Sequence, residues 1–227
     1  MKNGTIRSRT SLGALVLLVV CAASWSSSGT AAVAPAAGCF LVATRQQQGF
    51  FARTVILLVA YDSNGTFGLI VNRPTELPLT KLLPHVNALQ GRADSIYVGG
   101  PVSLDRLTLL IQSKVAPPDA IHVLDDIYAS GSLKALRAVA GNKLAGARFR
   151  AYGGYAGWGP GQLDAEIAQG GWVVIPANAN DVFNKDSSGL WDKLIKQQDL
   201  ILVDAGHPGL IVHRIGQIGL LSTPQNH

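Results

Sequence analysis

YGGYAGWGPGQLDAEIAQGGW, residues Tyr152–Trp172, decides how this chain folds. An apolar run ends at Tyr152, and glycines follow at 153, 154, 157, 159 and 161 with Tyr155 and Trp158 among them. The spacing predicts a glycine loop. Pro160 then suits a first helical turn, where no amide partner is needed. Leu163 and Ile167 share one helical face, and Asp164 and Glu166 lie early in the helix, where acids oppose its dipole. Gly170-Gly171 ends the helix, since glycine accepts a left-handed stop. Trp172-Val173-Val174-Ile175 begins a strand. The reading is strand, glycine loop, helix, strand.

Outward from that stretch, the chain punctuates itself clearly. Cys39–Ala43 is a short apolar strand, and Arg53–Tyr61 is too continuously apolar to have a wet face. Asp62-Ser63-Asn64-Gly65 is a hairpin turn, which explains Asn64-Gly65-Thr66 better than a glycosylation sequon does. Thr66–Asn72 pairs back, and Arg73-Pro74 ends that strand, because proline removes a ladder donor. Leu79–Leu89 has helical spacing, broken by Pro84. Ile96–Val98, Leu107–Gln112 and Ala120–Val123 read as strands. Ser132 caps a helix over Leu133–Ala140. Ser187 or Ser188 caps another through Lys196, which brings Leu190, Trp191, Leu194 and Ile195 together. Leu200–Val203 is a final apolar run.

The 227 residues suit one domain of ordinary size, and with 48% hydrophobic and 15% charged residues a large core is expected. The net charge is +5. Three of those charges, Lys2, Arg7 and Arg9, lie in an N-terminal segment without acids, so subtracting them leaves +2. That residual charge does not favour a nucleic-acid surface. The same cations precede Leu12–Ala23, an apolar stretch too short to span a bilayer comfortably, as in an export signal. Cleavage is expected near Ala34, Ala36 or Ala37. Residues 1–37 are therefore read as signal peptide and short spacer, with the mature chain in the periplasm or otherwise exported. A membrane enters only if the signal stays uncleaved or Cys39, or the less favourably flanked Cys21, carries a lipid. Cys39 is the sole mature cysteine, so no internal disulfide forms.

Four segments together resemble the YqgE/AlgH family: Phe50–Pro74, Tyr97–Val102, Gly154–Trp172 and Asp181–Trp191. The resemblance spans roughly Gly38 to Gln198. It implies an α+β fold in which a mixed, forked sheet curls into a pseudo-barrel with helices outside. It leaves residues 38–227 as one domain with a C-terminal extension from about 199. One member of the family is named as a regulator of alginate synthesis. An exported chain cannot reach the chromosome, which puts that role in doubt here.

The candidate site is a groove where strands end. Asn72-Arg73-Pro74 and Gly99-Gly100-Pro101 supply two of its corners, and Tyr155, Trp158, Gln162 and Glu166 the third, with Arg73 as an anion clamp. Two structural alternatives stand beside it. Glycines let Tyr155 and Trp158 pack against tightly turning backbone, and Arg73 pairs with Glu166 or another acid to lock the loops. No catalytic constellation is visible. There is no nucleophile elbow, Asp125-Asp126 are adjacent, and Asp204, His207 and His213 are too loosely spaced for a metal. The expected function is a non-enzymatic binding module for an unidentified protein or small ligand, without cofactor, metal or nucleic acid. The alternatives are a hydrolase or transferase with Glu166 as base, and a transcriptional regulator.

Overall fold

One strand, β9 (Arg148–Trp158), holds the sheet together. The computed structural model describes residues 33–204. Residues 1–32 of the expected export signal, with Cys21, and the tail histidines lie outside the described residues. Along one edge β9 pairs antiparallel with β6 (Val102–Gln112). Along the other it pairs first with β5 (Ser95–Val98), in parallel over Ala151–Gly153, and then with β3 (Gly65–Ile70), antiparallel over Ala156–Trp158. The change of partner falls at Gly154, which has φ +69, a backbone angle that disfavours any side chain. Gly153, Gly154 and Gly157, expected in a loop, therefore sit inside a strand of 11 residues, and only Gly159 and Gly161 of that set follow it. Glycine weakens a strand unless another backbone must approach it, and here another does.

The remaining strands extend the sheet from both sides of β9. They are β1 (Cys39–Ala43), β2 (Val55–Asp62), β4 (Pro74–Pro78), β7 (Ile121–Leu124), β8 (Ile127–Ser130) and β10 (Trp172–Pro176). The order is β10-β1-β2-β3-β9-β6-β8-β7, and β4 pairs with β5 off this path. The path runs open from β10 to β7 and is not closed into a barrel. The helices are α1 (Leu79–Leu82), α2 (Leu133–Ala140), α3 (Gln162–Ala168), α4 (Ala179–Val182) and α5 (Leu190–Asp204). The fold is α+β: a large, mainly antiparallel sheet with helices beside it.

Side-chain alternation distributes the core. In β9, Phe149 and Ala151 enter one apolar cluster with Leu136 and Val139 of α2. Tyr152, Ala156 and Trp158 point the other way, into a larger cluster with Phe40, Ile56, Leu69, Trp172 and Trp191. Each aliphatic side chain buried so completely stabilises by about 1.5–3 kcal/mol. Residues Val55–Val59 are all buried, as their unbroken apolar run requires.

Several boundaries differ from expectation, each for a physical reason. Pro74 ends nothing; it opens edge strand β4, where a missing donor is tolerated. The broken pattern at Leu79–Leu89 yields one helical turn and a 3-10 turn at Asn87–Leu89, because Pro84 interrupts it. Asp125-Asp126 forms the β7–β8 turn, with Asp125 at φ +46. Helix α3 begins at Gln162, after an N-cap Gly161 at φ +70, so Pro160 precedes the helix. Leu200–Val203 continues α5 instead of forming an element of its own. Ser132 caps α2 as read, accepting from the Lys134 amide at 3.0 Å.

Candidate functional site

Glu166 lies on the turn of α3 that faces two indoles. Trp158 donates from Nε1 to Glu166 Oε2 at 3.0 Å, and Trp172 donates to the same oxygen at 2.8 Å. Gln162, one turn earlier, donates from Nε2 to Oε1 at 3.0 Å, and its own Oε1 accepts from the Gly159 amide at 3.1 Å. Three of roughly four acceptor positions on the carboxylate are thus used. The indoles themselves are 5% and 3% exposed, so their N–H groups need this acceptor. Phe51 completes the box, stacked 6.3 Å from Trp158 and edge-on 5.7 Å from Trp172, with the two indoles edge-to-face at 6.0 Å. The Trp-Gly-Pro-Gly-Gln-Leu segment is therefore a clamp. It ties the end of β9, the start of β10 and α3 to one carboxylate.

Arg73 is not part of that clamp. Its guanidinium sits 4.8 Å over the Phe50 ring and donates from Nη2 to the Ala52 carbonyl at 3.2 Å. Partial burial pulls its pKa below the usual arginine value, but the group stays charged. The expected Arg73–Glu166 pair is absent among the described ion pairs. Asn72 is buried and acts as a clip: its Oδ1 accepts from the Val55 amide at 2.9 Å and its Nδ2 donates to the Arg53 carbonyl at 2.9 Å. Gly99 donates from N to the Gly153 carbonyl at 2.8 Å and accepts from the Ile70 amide at 2.9 Å. Gly99-Gly100-Pro101 carries the chain from β5 across β9 to β6. The structure thus joins Trp158, Gln162 and Glu166 directly. Arg73 is linked to them through Phe50 and Phe51, whose rings are 5.4 Å apart.

The open space near Trp158 lies toward the β2–β3 hairpin. A cleft of about 460 Å³ is lined by Asp62, Thr66, Phe67, Val102, Tyr155 and Trp158, among others. A second hollow of about 240 Å³ shares Asp62 and Thr66 and adds Tyr61 and Asp164. Phe67 and Tyr155 form the aromatic wall of the larger cleft, 5.0 Å between centroids. Arg106 lies 5.7 Å and 5.6 Å from those two rings. Tyr61 donates to Asp164 Oδ1 at 2.7 Å; that hydrogen bond to the carboxylate, more than burial, raises the Tyr61 pKa. Of the residues singled out in the sequence, Tyr155 and Trp158 line this cleft. Phe67, Asp62 and Asp164 were missed. Their signal was the hairpin itself, whose end β9 had to meet.

A second cluster lies under α4. Arg150 sits between the Tyr97 and Phe183 rings, at 4.8 Å and 5.6 Å. It donates to the Val182 carbonyl at 2.7 Å and to the Asn184 carbonyl. Arg148 lies 4.8 Å over Phe183 and donates to Gln112. These cations pack over aromatic rings and donate to Gln112 and to backbone carbonyls. Beside them Tyr152 is fully buried next to Arg150, its hydroxyl makes no hydrogen bond among the described residues, and burial raises its pKa well above the ordinary tyrosine value. Tyr152→Phe should therefore leave stability unchanged or raise it by up to about 1 kcal/mol in urea unfolding. A loss above about 1 kcal/mol would show that the hydroxyl has a partner.

The family model described as AlgH-like, DUF179, matches residues 40–202. The chain belongs to the AlgH-like family. Among AlgH-like relatives, a UPF0301 protein of Methylococcus capsulatus is 35% identical over 175 residues, covering 74% of this chain and 94% of its own. One from Rhizobium meliloti is 33% identical over 171 residues, covering 69% and 85%. The solution structure of the AlgH protein from Pseudomonas aeruginosa superposes with TM-score 0.58 at 26% identity, over 82% of this chain and 95% of that one. A Corynebacterium diphtheriae crystal structure shares the fold, with TM-score 0.62 at 23% identity over 77% and 93%. None of these names carries a substrate or a reaction. The AlgH-like match stops at 202, short of the tail.

Proposed function

We propose that this chain is a non-catalytic interaction module that holds its partner in the cleft between the β2–β3 hairpin and the end of β9. One observation carries the reading. The polar groups of the Trp-Gly-Pro-Gly-Gln segment face inward onto Glu166, while on the hairpin side of Trp158 an aromatic wall borders open space. A base needs a lone pair aimed at the proton it takes. Glu166 spends most of its lone pairs on the indoles and Gln162, which argues against the hydrolase or transferase alternative. The cleft suits a partner that places an apolar group on Phe67 and Tyr155 and hydrogen-bond donors near Asp62 and Asp164.

The basic and apolar pattern at the N-terminus supports export, and an exported module meets envelope or extracellular partners rather than DNA. Cleavage near Ala34, Ala36 or Ala37 fits that reading. Cys39 is buried in β1 and paired opposite Pro176, which argues against a lipid there. Cell fractionation tests export: protein found solely in the cytoplasm overturns it and revives the regulator alternative. Crosslinked capture from the fraction holding the protein tests the cleft. Phe67→Ala with Tyr155→Ala should lower partner recovery about tenfold or more, the loss expected when anchoring aromatics are truncated. The exposed, remote Leu133→Ala should not. Equal recovery from all three proteins removes the cleft from the function.

A further inference from the structure

Helix α5 packs its first half tightly and its second half loosely. Leu190, Trp191, Leu194 and Ile195 are buried, and Trp191 donates from Nε1 to the Ala43 carbonyl at 2.7 Å. Further along, Leu200 is 70% exposed. Between this part of α5 and β10 runs a groove of about 460 Å³, lined by Ile175, Pro176, Leu194, Gln197, Gln198 and Leu200. Among the described residues its lining carries no charged side chain. β10 is also the terminal strand of the sheet, so among the described residues its outer backbone edge has no ladder partner. An apolar groove beside an unpaired strand edge invites association unless something covers it.

The chain itself supplies a cover of matching chemistry. After Asp204 it continues through residues 205–227, which contain no acid and carry Leu210, Ile211, Val212, Ile215, Ile218, Leu220 and Leu221. The family match ends at 202, so this apolar segment lies beyond the matched residues. Its point of departure is close to the groove: Asp204 is four residues past Leu200, about 6 Å along the helix axis. A segment tethered that near faces the groove at an effective concentration on the order of millimolar, well above what a second molecule reaches. We propose that Leu210–Leu221 of the same chain occupies this groove, filling it with aliphatic side chains and shielding the β10 edge.

Trypsin supplies the test, because Arg214 is the one Lys or Arg after Lys196. In the full-length protein, cleavage at Arg214 should be at least about tenfold slower than in a free peptide of residues 205–227, since a docked segment is cut only when it opens. Leu200→Asp changes an exposed side chain, so the fold should survive, as circular dichroism will show. It should restore cleavage to near the peptide rate. In parallel, Gln197→Cys combined with single cysteines along 210–221 should form disulfides within one chain on oxidation. Cleavage of the unaltered protein at the peptide rate overturns the proposal. So does protection that Leu200→Asp leaves intact, which would place the segment elsewhere. Disulfides found only between chains would assign the groove to a second copy, again overturning it.

Discussion

Gly100→Ala is expected to abolish the folded state: soluble yield collapses, and any protein recovered unfolds with more than about 4 kcal/mol of stability lost. A Cβ at Gly100 would fall 2.0 Å from the Tyr155 carbonyl carbon, 2.1 Å from its oxygen and 2.3 Å from the Ala156 nitrogen. All three are backbone atoms of β9, held by ladders on both edges, so nothing flexible can yield. Gly99 is nearly as tight, with Gly154 O at 2.3 Å. Gly161→Ala is the control. Its Cβ meets open space, and only the positive φ of +70 opposes it, for a cost of about 1 kcal/mol. Urea unfolding of the two variants separates close approach from conformational strain. If Gly100→Ala loses no more than Gly161→Ala does, β5 does not cross β9 as described.

That crossing also marks what the sequence could and could not say. Where hydrophobic period and local chemistry agree, the chain was legible. β1 has the expected bounds, β2 is buried on both faces, Asp62–Gly65 turns the hairpin, and Ser132 caps α2. The glycines of β9 spoke against a strand by propensity. Their reason for being there, a second backbone passing over Gly153–Tyr155, is a long-range fact with no local trace. Leu200–Val203, read as a separate run, was the end of a helix whose apolar face had already been found. At the site, Trp158, Gln162 and Glu166 meet through hydrogen bonds, and helical spacing puts the last two together. Phe51 and Trp172 were invisible as partners, since nothing in one sequence says which ring meets which carboxylate. Arg73 was drawn toward Glu166 by charge alone, whereas two indole donors already occupy that acid.

Glu166→Ala is expected to cost about 3 kcal/mol, because it strands two buried indole donors as well as the Gln162 amide. For a domain of this size that shifts Tm down by about 6–12 °C. Glu166→Gln keeps one oxygen acceptor but turns an amide donor toward donors, so it should recover roughly half of the loss. Trp172→Phe distinguishes a clamp from mere packing. If the carboxylate's role is to accept from the indoles, Trp172→Phe should cost about 1–2 kcal/mol less in the Glu166→Ala background than in the wild type, a coupling that denaturant midpoints resolve. A catalytic Glu166 predicts a different pattern. Stability would then be nearly independent of the side chain, as in many active sites, where function rather than packing selects the residue. Additive costs together with a Glu166→Ala loss under about 0.5 kcal/mol would transfer Glu166 from scaffold to chemistry. The cleft beside Trp158 would then have to be sought as a substrate pocket rather than a docking face.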